Sequence, residues 1–152
     1  MKCRILSVLL LIFTLMVSGC GKGAIATPLL PTASTEPLAV EDKASLMAAL
    51  QASGATVEVG DPVTQVFFAP EGSIIKVNGA DVQVFEYESA EAMENEASQV
   101  APDGGSIGTS MVTWMDTPHF YKAGRIIGLY VGSDESVLSL LENAIGPQFA
   151  GR

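Results

Sequence analysis

Residues 73–87, SIIKVNGADVQVFEY, carry the strongest fold signal in the chain. Asn78-Gly79 sits between two runs in which apolar and polar residues alternate. Asn-Gly is the dipeptide best suited to a two-residue hairpin turn, whose central residues both need positive φ. The segment therefore predicts strands over 73–77 and 81–87, paired antiparallel. In the second strand Val82, Val84 and Glu86 fall on one face, and Asp81, Gln83, Phe85 and Tyr87 on the other, because side chains alternate along a strand.

Working outward, TQVFFA (64–69) reads as a preceding strand, with a turn at Pro70-Glu71-Gly72. Further back, EDKASLMAALQASG (41–54) opens with acids that suit a helix N-terminus. It places Leu46, Ala49, Leu50 and Ser53 at helical spacing and closes at Gly54. After the hairpin, Ser89 is placed to cap a helix running to about Val100, and residues 101–108 read as a loop. Strands are expected over TSMVTWM (109–115), HFYK (119–122) and RIIGLYV (125–131), with turns at Asp116-Thr117-Pro118 and Ala123-Gly124. Ser133 is expected to cap a last helix, DESVLSLLENAI (134–145). There Val137, Leu138, Leu141, Ala144 and Ile145 form an apolar stripe that ends at Gly146.

The order is helix, three strands, helix, three strands, helix. A shift of 45 residues lays Gly79 on Gly124, Val82 on Ile127, Phe85 on Tyr130 and Ser89 on Asp134, so the pattern repeats as two βββα-like halves. Consecutive strands with tight turns pair as antiparallel neighbours. The expected fold is α+β over residues 41–152, a single domain with an antiparallel sheet and its helices packed on one face. In RIIGLYV, Ile127, Leu129 and Val131 share a face opposite Ile126, Gly128 and Tyr130. If the aliphatic sets pack on the helices, Phe85, Tyr87 and Tyr130 look out from the second face, where Trp114 joins them. A contiguous exposed aromatic face signals a partner or ligand.

The chain begins with Lys2 and Arg4, continues through an apolar run from Ile5 to Val17, and reaches Ser18, Gly19 and Cys20. A basic start, an apolar stretch of this length and a small-residue exit match a secretory signal peptide over residues 1–19. The run is shorter than the roughly 20 residues a spanning helix needs. Val17-Ser18-Gly19-Cys20 resembles the lipobox of bacterial lipoproteins. The resemblance implies a diacylglyceryl group on the Cys20 thiol, cleavage before it and acylation of the new amino terminus. It places the protein on a bacterial membrane, facing the periplasm or the cell exterior. Residues 118–132, PHFYKAGRIIGLYVG, are similar to a stretch of small bacterial lipoproteins. That likeness implies a shared fold across most of 41–152 and no particular activity.

Residues 20–40 hold Pro28, Pro31 and Pro37 among Ala, Thr, Ser and Gly and read as a flexible tether, spanning about 25 Å as a random coil. Cleavage would leave six basic against seventeen acidic residues, a formal charge of −11. Such a chain is repelled by nucleic acid and by anionic headgroups, so lipid alone would hold it at the membrane. Cys3 and Cys20 are the only cysteines, so the domain is expected to stand without a disulfide.

Few motifs suggest chemistry. Gly104-Gly105-Ser106-Ile107-Gly108 matches the G-x-S-x-G of serine hydrolases. A nucleophile elbow, however, lies between a strand and a following helix, and this segment leaves a helix and enters a strand. His119 is the only histidine, so no zinc set of His and Cys is expected. It should begin a strand with its ring at the surface or in a turn, where a pH-sensing role is open. Glu86, Glu88 and Glu91 match no calcium-loop spacing. The sequence thus predicts a non-enzymatic module without cofactor or metal, binding a protein or peptide through the aromatic face. The alternative is a small-ligand carrier or sensor in which that face closes into a pocket.

Overall fold

Asn78 and Gly79 adopt φ of 52° and 88°, the signature of a type I′ turn. They join β2 (Gly72–Val77) to β3 (Ala80–Glu86), with Val77 opposite Ala80. The computed structural model describes residues 39–151. The expected leader, Cys20, the expected tether as far as residue 38, and Arg152 lie outside the described residues. The other elements are α1 (Lys43–Ala52), β1 (Val57–Val63), α2 (Ala90–Ala97), β4 (Ser106–Ile107), β5 (Ser110–Met111), β6 (Pro118–Ala123), β7 (Ile126–Val131), α3 (Glu135–Ile145) and β8 (Ala150–Gly151). Six strands form an antiparallel sheet in the order β1-β2-β3-β7-β6-β8, while β4 and β5 make a small hairpin of their own. This is the α+β architecture with an antiparallel sheet.

The helices start where polar side chains can take the free backbone N–H groups of the first turn. Asp42 accepts from the Ser45 N–H at 2.9 Å, and the Ser45 hydroxyl oxygen accepts from the Asp42 N–H, closing a capping box. Ser89 caps α2 through the Ala92 N–H. Asp134, one residue beyond the expected Ser133, caps α3 through the Ser136 N–H at 2.8 Å.

Two strands differ from expectation. TQVFFA is a connection, and the strand before it is β1, the edge strand VEVGDPV. Gly60 and Pro62 look like strand breakers, but an edge strand tolerates proline and a bulge. The register of β1 on β2 does shift between Val59 and Pro62. TSMVTWM supplies only the two residues of β5 to a ladder. It cannot join the main sheet through β6, because β8 occupies that edge, with Ala150 opposite Phe120.

The expected single helical face is corrected: the sheet is covered on both sides. Val82 and Val84 share a face with Ile126 and Tyr130, packed with Leu46 and Leu50 of α1 and Val137 and Leu141 of α3. Phe85 shares the opposite face with Ile127 and Leu129, packed with Met93 and Ala97 of α2. Val40 is already buried in the first cluster, so the packed domain begins by that residue. Each large side chain buried this way contributes roughly 1.5–3 kcal/mol.

The repeat accounts for the crossed faces. The turn residues 78–79 correspond to 124–125, and the pair Val77–Ala80 corresponds to Ala123–Ile126, a shift of 46. Only the caps Ser89 and Asp134 are 45 residues apart. A slip of one residue exchanges the two faces of a strand, so the overlay of Phe85 on Tyr130 matches residues of opposite faces.

Candidate functional site

The four aromatic residues expected to form an open binding face do not do so. Phe85 is 0% exposed, Tyr87 and Tyr130 are buried, and Trp114 is half-buried. Phe85 lies beneath Phe68, ring centroids 4.7 Å apart. The contacts continue from Phe68 to Phe67, from Phe67 to Trp114, and from Trp114 to Phe120. The Trp114 indole N–H donates to the Gly104 carbonyl at 2.7 Å, which fixes the residue 109–117 loop against the residue 101–105 loop. The Tyr87 hydroxyl donates to a Glu96 carboxylate oxygen at 3.3 Å. Its ionisation is pushed far up, first by burial and then by the Glu96 charge. Tyr130 belongs to the other face, where its hydroxyl accepts the Asp134 N–H. Only the rim of this aromatic layer is open: Val66 is 94% exposed, and Met111 and Met115 are also exposed. Val66 and Met115 flank Phe67 and Trp114.

Ser106 lies on β4 opposite Met111, within a short hairpin. The strand–turn–helix geometry of a nucleophile elbow is not what surrounds it.

The sheet face that carries α1 and α3 has an opening. Between α3 and β6 is a cleft of about 330 Å³ lined by His119, Tyr121, Glu135, Leu138, Ser139, Glu142 and Gln148. His119 and Tyr121 alternate along β6 and so point to the same side. Glu135, Ser139 and Glu142 fall four and three residues apart on one flank of α3. The connection after α3 brings Gln148 over the sheet edge. They come from three separate stretches of the chain, which the packing of α3 against β6 brings together.

His119 corrects the expectation of a surface ring, since it is 6% exposed. Its Nε2 lies 3.1 Å from the Gly132 carbonyl and its Nδ1 2.7 Å from the Gln148 side-chain amide. Because a carbonyl only accepts, Nε2 carries a proton. The Gln148 amide can turn either its NH₂ or its oxygen toward Nδ1, matching a neutral or a protonated ring. The Tyr130 ring stacks alongside at 6.1 Å. His119 is thus a fixed wall of the cleft.

Tyr121 is 3% exposed, yet its hydroxyl has no hydrogen-bond partner among the described residues. Side-chain nitrogens and oxygens that are fully covered all have partners among those residues, so this hydroxyl reaches open space, which is the cleft. Burial, reinforced by the Glu142 charge, pushes its ionisation up to about 12. Near neutral pH the cleft therefore presents an intact phenol O–H beside a carboxylate. Where it meets the cleft this hydroxyl can hydrogen-bond water or a bound molecule. Leu138 gives an apolar wall. No group of three metal-ligating side chains converges among the described residues.

The sequence carried a trace of this site in the polar residues 135, 139 and 142 beside the apolar stripe of α3, and in the His-x-Tyr alternation of β6. Nothing local to either stretch shows that they meet. No protein-family profile, curated protein or solved structure matches the chain.

Proposed function

We propose that this chain is a lipid-anchored binding domain on the outer side of a bacterial membrane, holding a small molecule in the cleft between α3 and β6. The anchor and tether rest on the lipobox resemblance and on the composition of residues 20–40. The cleft carries the ligand reading: it sets the Tyr121 phenol, the Leu138 side chain and the carboxyl groups of Glu135 and Glu142 around one opening between α3 and β6. A volume near 330 Å³ falls at the small end of the roughly 300–1,000 Å³ usual for ligand sites.

A thermal-shift screen of the full chain against small polar compounds tests this reading, with Tyr121→Phe and a cleft-filling Leu138→Trp beside it. A compound that raises the melting temperature of the parent and of neither variant supports the cleft. Hits that stabilise all three chains equally contradict it.

A second reading, a protein or peptide partner, is favoured by Val66 and Met115 flanking the Phe67–Trp114 pair. Crosslinking in cells, with Val66→Glu/Met115→Glu as the comparison, separates the two. A single partner lost in that variant would locate the binding surface on the loop rim.

A further inference from the structure

We propose that Met111 and Met115 form a reversible oxidation site. Their thioethers take the oxygen of a neutral two-electron oxidant, hydrogen peroxide or hypochlorous acid, and are reduced back by a thiol-dependent sulfoxide reductase. Trp114 and the buried Met93 are thereby spared. The site lies on the rim of the aromatic layer and does not depend on the cleft.

Methionine is ordinarily a core residue, its flexible thioether filling irregular gaps. Met93 follows that rule at 5% exposure, and Met47 is half-buried against the helix-covered cluster. Met111 and Met115 depart from it: the first is 92% exposed and the second wholly exposed. The cause is the alternation of residues 111–115. Val112 and Trp114 turn inward and pack on the aromatic cluster, while Met111, Thr113 and Met115 are exposed. The Trp114 indole N–H, held by the Gly104 carbonyl, pins the segment in that orientation. Within residues 104–115 the oxidisable side chains are this methionine pair and Trp114, the chain's only tryptophan. The two thioethers stand in solvent on either side of the indole, one residue after it and three before.

Susceptibility to oxidation follows exposure. A sulfur lone pair attacks one oxygen of hydrogen peroxide, the O–O bond breaks, and sulfoxide and water form. With hypochlorous acid the O–Cl bond breaks, and chloride and a proton leave. In both cases the sulfur loses two electrons and the oxidant gains them. Two thiols of the reductase restore the thioether, forming one disulfide and releasing the oxygen as water. A sulfoxide is polar and chiral, and within a core it disrupts packing. At positions 111 and 115 it stands in water, so the fold bears the oxidised form without loss.

The test is peptide mapping by mass spectrometry of the full chain in detergent micelles during exposure to dilute hydrogen peroxide. Met111 and Met115 should each gain one oxygen at the rate of free N-acetylmethionine amide, and Met93 about tenfold more slowly. The melting temperature of the doubly oxidised chain should match that of the parent. Methionine sulfoxide reductases for the two epimers should then remove both oxygens. Hypochlorous acid tests the sparing: Trp114 fluorescence should be lost at a lower dose in Met111→Leu/Met115→Leu than in the parent. Equal loss in both chains, oxidation of Met93 as fast as Met115, or a melting temperature that falls with the first two oxygens would each overturn the proposal. So would sulfoxides at 111 and 115 that the reductases cannot remove.

Discussion

The two faces of the sheet are closed by different means. One face is aliphatic and lies under two helices, α1 and α3; the other is aromatic and lies under one short helix and three loops. Between α3 and β6 the side chains leave a cleft with a polar lining. Loops can follow the contour of the rings, and the second face closes over Phe85 and leaves only a rim of Val66 and Met115. An aromatic-rich face therefore need not be the binding face. In this chain the rings serve as packing, and the opening lies on the side with fewer of them.

Truncating the second face should have the largest effect. Phe85→Ala empties a fully buried site and should destabilise the domain by about 3–5 kcal/mol, measured by chemical denaturation. A loss below about 1 kcal/mol would mean that the loops can collapse into the space. Gly72→Ala probes the same packing from below, because a Cβ there would stand 2.6 Å from the Phe85 ring. It should cost about 1–3 kcal/mol, and most of that should be recovered in Gly72→Ala/Phe85→Leu, where the ring is absent.

The alternation in SIIKVNGADVQVFEY made the β2–β3 hairpin readable, and the cap at Ser89 and the acids at 41–42 made two helix starts readable. The turn, both strands and two helix starts are local events. The pairing of β3 with β7 is not local. In β7 Ile126, Ile127, Leu129 and Tyr130 are all buried, so its alternation contains no inward and outward sides to read, and either face could have been joined to Val82. β1 was hidden by Gly60 and Pro62, residues that only an edge position explains. The cleft combines residues from β6, α3 and the segment after it, three stretches that only the tertiary packing brings together.

The remaining predictions concern the helix-covered face. Folding raises the ionisation of Tyr121, so the stability this group contributes is fully present below its ordinary value near pH 10 and is lost as pH rises toward about 12. Unfolding curves between pH 9 and about 12 should therefore fall more steeply for the parent than for Tyr121→Phe. The cap carboxylates behave in the opposite sense. Asp42 is held below the usual carboxylate range by its hydrogen bonds from Ser45, and Asp134 by those from Ser136. Their contribution is present above the ordinary value of 3.8 and lost as pH falls below it. Asp134→Ala should lower stability at neutral pH, measured by chemical denaturation. That difference should shrink in acid, and because Asp134 starts the helix that lines the cleft, binding should weaken in the variant.

Chemical-shift mapping of the isotopically labelled full chain, with a compound that the thermal-shift screen returns, tests the contrast between the faces most directly. The account predicts shifts at His119, Tyr121, Ser139 and Gln148, with residues 64–69 and 109–117 unmoved. Shifts confined to those two loops, with the Tyr121 neighbourhood silent, would contradict it and move the binding site to the aromatic rim.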